Sequence, residues 1–188
     1  MTNQLKHLIK SIFFMYNWDY WVLVLFLLAV SVIYIAIKKL ISNKKISNSI
    51  IIISFVIYFC LMIYTALIDR NALIDSSGYC LTPFYSYYQF FNGNRDIMQQ
   101  SIMNIAFFYP VGFLLSCLDM GFVKKRKWVI VVFAFAFSFC IEALQYILRL
   151  GYAEIDDVIH NTLGAFIGMS MCFALDKMYD FIKIKLRR

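Results

Sequence analysis

Charge is scarce in this sequence. Of 188 residues, 15% are Asp, Glu, Lys or Arg and 62% are apolar, with a mean hydropathy of +0.72, whereas an ordinary soluble domain is about 25% charged and about 45–50% apolar. So large an apolar excess has to face lipid, which excludes a soluble globular domain. Linkers rich in Pro, Gly or Ser are missing, as is any internal repeat, and two prolines and seven glycines punctuate the whole chain. The reading is therefore one membrane domain over residues 1–188. Five cysteines are present, but Cys60, Cys117, Cys140 and Cys172 fall inside apolar runs and only Cys80 lies in a connection, so no disulfide framework follows. No CxxC or Cys/His spacing suits zinc. No HExxH, nucleophile motif or glycine-rich phosphate loop occurs either. Neither a cofactor nor a metal is expected. The first apolar run is not followed by a small-residue cleavage site, which reads as a retained anchor.

What is there in abundance is hydrophobic length. A spanning helix needs about 20 mostly apolar residues, and five stretches approach this: 20–37, 50–68, 101–118, 128–147 and 158–175. Ahead of them Leu5, Leu8, Ile9, Ile12, Phe13 and Tyr16 recur at helical spacing while Lys6 and Lys10 share another face, the pattern of an interfacial amphipathic helix. Residues 69–100 are too rich in rings for a solvated loop, with Tyr79, Phe84, Tyr85, Tyr87, Tyr88, Phe90 and Phe91 in their middle and a turn at Asn92-Gly93-Asn94. Such ring density suits the headgroup layer. The expected fold is an all-α membrane protein: a five-helix transmembrane bundle with an N-terminal interfacial helix and a re-entrant or interfacial segment between the second and third spans.

The net charge of +7 sits in short clusters between apolar runs, so it orients the chain in a membrane and does not form a nucleic-acid surface. Counting Lys and Arg in alternate connections gives thirteen on one side (38–49, 119–127 and 176–188) and five on the other (1–19, 69–100 and 148–157). The positive-inside rule puts the C-terminus in the cytoplasm and the N-terminus outside.

Against this background the polar residues of the spans call for explanation. A charged side chain at the centre of a span costs roughly 2.5–3.5 kcal/mol on insertion scales, yet Glu142 lies fourteen residues past Trp128, beyond the midplane at about 1.5 Å per residue. Gln145 and Arg149 follow at i+3 and i+7, on one helix face. Asp157, Asn161, Gly164 and Gly168 share a face at i, i+4, i+7 and i+11, next to Asp156 and His160. Asn104 and Gly112 are spaced i and i+8 in the third run, where Pro110 removes a backbone hydrogen bond and is expected to kink the helix. The glycines permit close helix approach. Three helices thereby bring polar groups to one depth near the outer surface.

Bland readings stand beside the functional one. Glu142 and Arg149 suit a structural ion pair, Asp156 and Asp157 suit capping of the fifth helix, and Asn104 and Asn161 suit interhelical hydrogen bonding. His160 with Asp157 at i and i+3 makes no metal site. A shared site accounts for the one-sidedness of all these residues in a single step.

The ordered segments Asn104-Ile-Ala-Phe-Phe-Tyr-Pro-Val-Gly-Phe-Leu-Leu115, Ser138-Phe-Cys-Ile-Glu142-Ala-Leu-Gln145 and Ile155-Asp-Asp157-Val-Ile-His-Asn161-Thr-Leu-Gly164-Ala-Phe-Ile-Gly168 resemble the VanZ-like membrane proteins over roughly residues 50–175. Thr82-Pro83-Phe84 looks like that family's Pro-Phe element, and Arg149 stands where the family often carries an arginine. The resemblance implies a small polytopic bacterial protein and a role in resistance to the lipid-tailed glycopeptide teicoplanin or in envelope homeostasis. The function expected is engagement of an amphiphile, a membrane lipid or lipid-tailed ligand, in an outward-facing polar pocket of Asn104, Glu142, Gln145, Arg149, Asp156, Asp157 and Asn161. Alternatives are a membrane enzyme on a lipid-linked envelope substrate with Glu142 and Asp157 as general acid and base, and a structural subunit of a membrane complex. A homo-oligomer is compatible with each.

Overall fold

Apolar runs that contain at most one internal proline have every backbone group to satisfy and no water to do it with, so they fold as helices. The computed structural model describes residues 18–41, 43–68, 78–94, 96–118 and 126–185, apart from the side chains of 18–26 and 28. In chain order it contains α1 (Trp18–Leu40), α2 (Lys44–Ile63) running on into a π-helical turn (Tyr64–Ile68), β1 (Gly78–Cys80), α3 (Tyr85–Phe91), α4 (Asp96–Cys117), α5 (Trp128–Ile147), β2 (Tyr152–Glu154) and α6 (Ile155–Lys185).

Among the described residues four helices are long and apolar enough to cross a membrane: α2 with its π-helical turn, α4, α5 and α6. The run 20–37 lies inside α1. The amphipathic segment expected before it lies outside the described residues. Asn43 starts α2 by accepting the amides of Lys45 at 3.0 Å and Ile46 at 3.4 Å, groups that have no partner within a helix.

The all-α expectation needs one correction. β1 and β2 pair in parallel, with Gly78 opposite Tyr152 and Cys80 opposite Glu154. Three-residue strands are too short to show alternation, and their partners lie more than seventy residues apart in sequence. The ladder ties the long connection before α4 to the short one between α5 and α6. Three helix boundaries also move by five residues or more: α2 starts at Lys44, six residues before its apolar run, α4 at Asp96, five residues before its run, and α6 continues to Lys185, ten residues past its run. Helical structure outlasts hydrophobicity at these ends.

The centre of the bundle is the pairing of α4 with α6, the most extensive contact in the structure. It is built on glycine. A Cβ on Gly112 would collide with the carbonyl of Ala165, one on Gly164 with the carbonyl of Ile105, and one on Gly168 with the carbonyl of Tyr109. Backbones at such range exchange dispersion contacts along their whole length, which is the main attraction available between helices in lipid. α4 remains helical through Pro110, and the Tyr58 hydroxyl donates to the Phe107 carbonyl at 2.7 Å in the turn before it. At the far end of the bundle Lys38 and Lys39 of α1 pair with Asp176 and Asp180 of α6 at 2.9–3.8 Å.

Candidate functional site

The opposite end of the bundle, where α5 finishes and α6 begins, carries the polar groups. Glu142 faces inward from α5 and is only 7% exposed, and its Oε2 accepts the backbone N–H of Glu154 at 3.1 Å. The carboxylate thus reaches across the chain reversal to hold β2. One turn later Gln145 donates from Nε2 to the Ala66 carbonyl at 3.0 Å. That carbonyl belongs to the π-helical turn, where the regular helix ladder is shifted and such turns often mark functional positions. Asn161 of α6 donates from Nδ2 to the Ser138 hydroxyl of α5 at 2.8 Å. Asp157, 7% exposed, accepts from the Gln100 carboxamide at 3.2 and 3.4 Å.

These residues enclose a cavity of about 210 Å³ whose walls include Asn104, Glu142, Gln145, Asp157 and Asn161 from α4, α5 and α6, with Thr65 and Ala66 of the π-helical turn closing one side. Five of the seven ligand-binding candidates therefore meet at one place. Of these side chains, the Nδ2 of Asn104 and the Oδ1 of Asn161 are buried without a hydrogen-bond partner.

The other two candidates stand elsewhere. Arg149 lies past the end of α5 with φ +55°, exposed in the turn and outside the cavity wall. Because α5 stops at Ile147, the i+7 relation to Glu142 no longer sets its direction. Asp156 is buried and turned toward α3: it accepts the amide of Phe84 at 2.6 Å, the amide of Ser86 at 2.7 Å and the Ser86 hydroxyl at 2.5 Å. It thereby caps α3 from another helix and holds Phe84 in the left-handed region at φ +64°, a position that costs an L-residue about 1–2 kcal/mol. Beside it the Tyr87 hydroxyl meets Nε2 of His160 at 3.1 Å. Among the described residues no three His, Cys, Asp or Glu side chains gather as a metal site.

Gln100 is a site residue that the apolar-run reading passes over, since it precedes the run. The signal was its i, i+4 spacing to Asn104. Ser86 gave none, because its partner is seventy residues away.

On the other flank of the α5–α6 pair lies a second cavity of about 280 Å³, walled by Tyr79, Phe139, Tyr146, Ile155 and Val158, with Glu142 and Glu154 at its edge. Tyr79 stands edge-on to Tyr146 with centroids 5.7 Å apart, so β1 is fixed against α5. Burial, with smaller contributions from Asp157 and Asp156, pushes the Glu154 carboxyl up from its usual 4.5 to about 7. A carboxyl raised on folding binds more protons in the native state than in the unfolded one. Its stabilisation is complete below pH 4.5 and is lost as pH rises towards 7. Thermal unfolding in detergent micelles is expected to show a midpoint that falls across this window in the native protein and stays flatter in Glu154→Gln.

Residues 46–176, well over half of the chain, match the VanZ/LLP1 family. The chain belongs to that family. It is also 34% identical over 93 residues to Protein VanZ of Enterococcus faecium, an alignment covering 48% of this chain and 50% of that protein. The chain thus spans about half the length of the curated relative it matches. No solved structure matches it. In VanZ/LLP1 terms, the matched region contains α4, α5, residues 155–176 of α6 and both cavities, whereas α1 and the end of α6 lie outside it.

Proposed function

We propose that this VanZ/LLP1 membrane protein contributes to resistance to lipidated glycopeptides of the teicoplanin type, or to envelope homeostasis, by engaging an amphiphile in the polar cavity between α4, α5 and α6. The observation that supports this best is the convergence of Asn104, Glu142, Gln145, Asp157 and Asn161 on one cavity, with two of their polar atoms buried and unsatisfied. Buried polar groups without partners cost about 1–3 kcal/mol each, a cost that a bound ligand offsets. In this reading α1 is a fifth span, the ring-rich segment around α3 lies in the headgroup layer, and the cavity opens outward. The cavity lies at the end of α5 away from the basic residues Arg126 and Lys127, in line with a cytoplasmic C-terminus and an external N-terminus.

The test is isosteric neutralisation. In a susceptible host expressing the chain, Glu142→Gln and Asp157→Asn are expected to reduce protection against teicoplanin to the level of empty vector while membrane abundance is maintained. Loss of one charge-assisted hydrogen bond is worth about 1.5–3 kcal/mol, about tenfold or more in affinity. Full protection by both variants at normal abundance would sink the reading. Cysteine accessibility from outside, read at introduced sites in residues 148–151 and 182–185, tests the orientation.

A further inference from the structure

The end of the bundle opposite both cavities has a charge pattern of its own. Its two described acids, Asp176 and Asp180 of α6, face Lys38 and Lys39 of α1 at 2.9–3.8 Å. Two further lysines are left in excess. The Nζ of Lys127, at the start of α5, lies 3.7 Å from the centre of the Phe173 ring of α6, and the Nζ of Lys177 lies 4.3 Å from the same centre. Neither forms an ion pair among the described residues. The ring attracts each ammonium, but the two like charges gathered on it repel each other. An anion held between them turns that repulsion into attraction.

Depth indicates which anion this is. α6 has 31 residues, about 46 Å at 1.5 Å per residue, and so exceeds a hydrocarbon core of about 30 Å. Lys177 lies twenty-two residues past Ile155, about 33 Å along the axis. A helix that enters the hydrocarbon near Ile155 therefore delivers this lysine to the headgroup layer of the other leaflet. Trp128, the first residue of α5, is 61% exposed next to Lys127, and exposed tryptophan belongs to that same layer. Phe173 and Lys177 are exposed and Lys127 is half-buried, so the cluster is open to surrounding lipid.

From this juxtaposition we infer that Lys127 and Lys177 form a headgroup site for an anionic phospholipid, with its phosphate between the two ammoniums and the start of an acyl chain against Phe173. Basic pockets between helices at a membrane boundary hold heads of this kind. A zwitterionic lipid offers the same phosphate but brings its own cation, which the lysines repel. The site shares no residue with either cavity and does not depend on the reading given under Proposed function.

The experiment uses the full chain in phosphatidylcholine nanodiscs that contain a small fraction of a probe lipid, either phosphatidylglycerol or phosphatidylcholine, with a photoreactive diazirine on the acyl chain close to the glycerol. Labelled peptides are mapped by mass spectrometry. One lysine at a membrane surface is worth about fivefold in affinity for anionic lipid. Phosphatidylglycerol is therefore expected to label the peptides containing Trp128 and Phe173 about twenty-five-fold more than phosphatidylcholine does, and Lys127→Gln and Lys177→Gln should each lower that ratio about fivefold. Lys183→Gln, which removes the same charge from the last turn of α6 outside the cluster, should leave it unchanged.

Equal labelling of the native chain by the two lipids overturns the lipid assignment, and that arm requires no variant to fold; an acidic protein segment is then the occupant that fits the charge. A ratio that falls as far in Lys183→Gln as in Lys127→Gln replaces the site with diffuse attraction to net charge. Suppression of the phosphatidylglycerol label by inorganic phosphate, but not by chloride at the same ionic strength, assigns the two lysines to a soluble anion instead.

Discussion

Gly164→Ala is expected to separate α4 from α6 and to destabilise the protein by about 3 kcal/mol, the upper range for overpacking a tight contact. The added methyl meets the Ile105 carbonyl. A flexible side chain would swing away, but a helical carbonyl is held by its own hydrogen bond and by its neighbours, so the whole helix has to shift. Gly112→Ala, against the carbonyl of Ala165, and Gly168→Ala, against that of Tyr109, should behave alike, since all three lie on the same seam. Gly93→Asn provides the contrast. Gly93 sits in an open turn with φ +99° and no atom within 4 Å of an added Cβ, and Asn visits left-handed conformations more readily than most residues. Thermal unfolding in micelles checks the series, and an unchanged midpoint for Gly164→Ala would mean that the helices do not approach this closely.

Asp156→Ala should release α3 from the bundle at a cost of about 4 kcal/mol. One carboxylate satisfies the amides of Phe84 and Ser86 and the Ser86 hydroxyl, and leaving a buried donor unpaired costs about 1–3 kcal/mol per group. Phe84 adds to the effect, because its left-handed conformation persists only while surrounding contacts hold it. Asp156→Asn is the sharper variant. It preserves volume but turns an N–H towards donors, so it is expected to lose most of the same stability. Hydrogen exchange at the amides of 84 and 86 should accelerate in both variants while amides in the middle of α5 keep their protection. Slow exchange at 84 in Asp156→Ala would show that the carboxylate does not hold this segment.

These two sites also show what the chain discloses before it folds. The α4–α6 seam was legible because glycines at i, i+4 of one helix read as a small-residue face whatever the partner. Asn104, Glu142, Gln145, Asp157 and Asn161 were legible for a related reason: polar groups in an apolar helix are costly, so their positions on one face carry information. Asp156 was harder to read. Next to Asp157 at a helix start, it looks like another cap or pocket residue, and only the fold reveals that it faces α3. Arg149 was assigned to the pocket by extrapolating helical periodicity beyond Ile147, where the helix has already ended. The β1–β2 pairing left no trace, since three residues carry too little pattern and the register depends on helices that must already be in place.

The dependence of α4 on α6 has a consequence for biosynthesis. α4 is the least apolar of the four candidate spans, and it contains Gln100, Asn104 and Pro110, whose polar or incomplete bonding suits a protein neighbour better than lipid. Its principal neighbour, α6, leaves the ribosome only after α5 has done so. Until that helix arrives, the glycine seam of α4 has nothing to close against, and the nascent chain presents its most marginal span to the insertion machinery alone. A segment translated later thus decides whether an earlier one stays in the membrane.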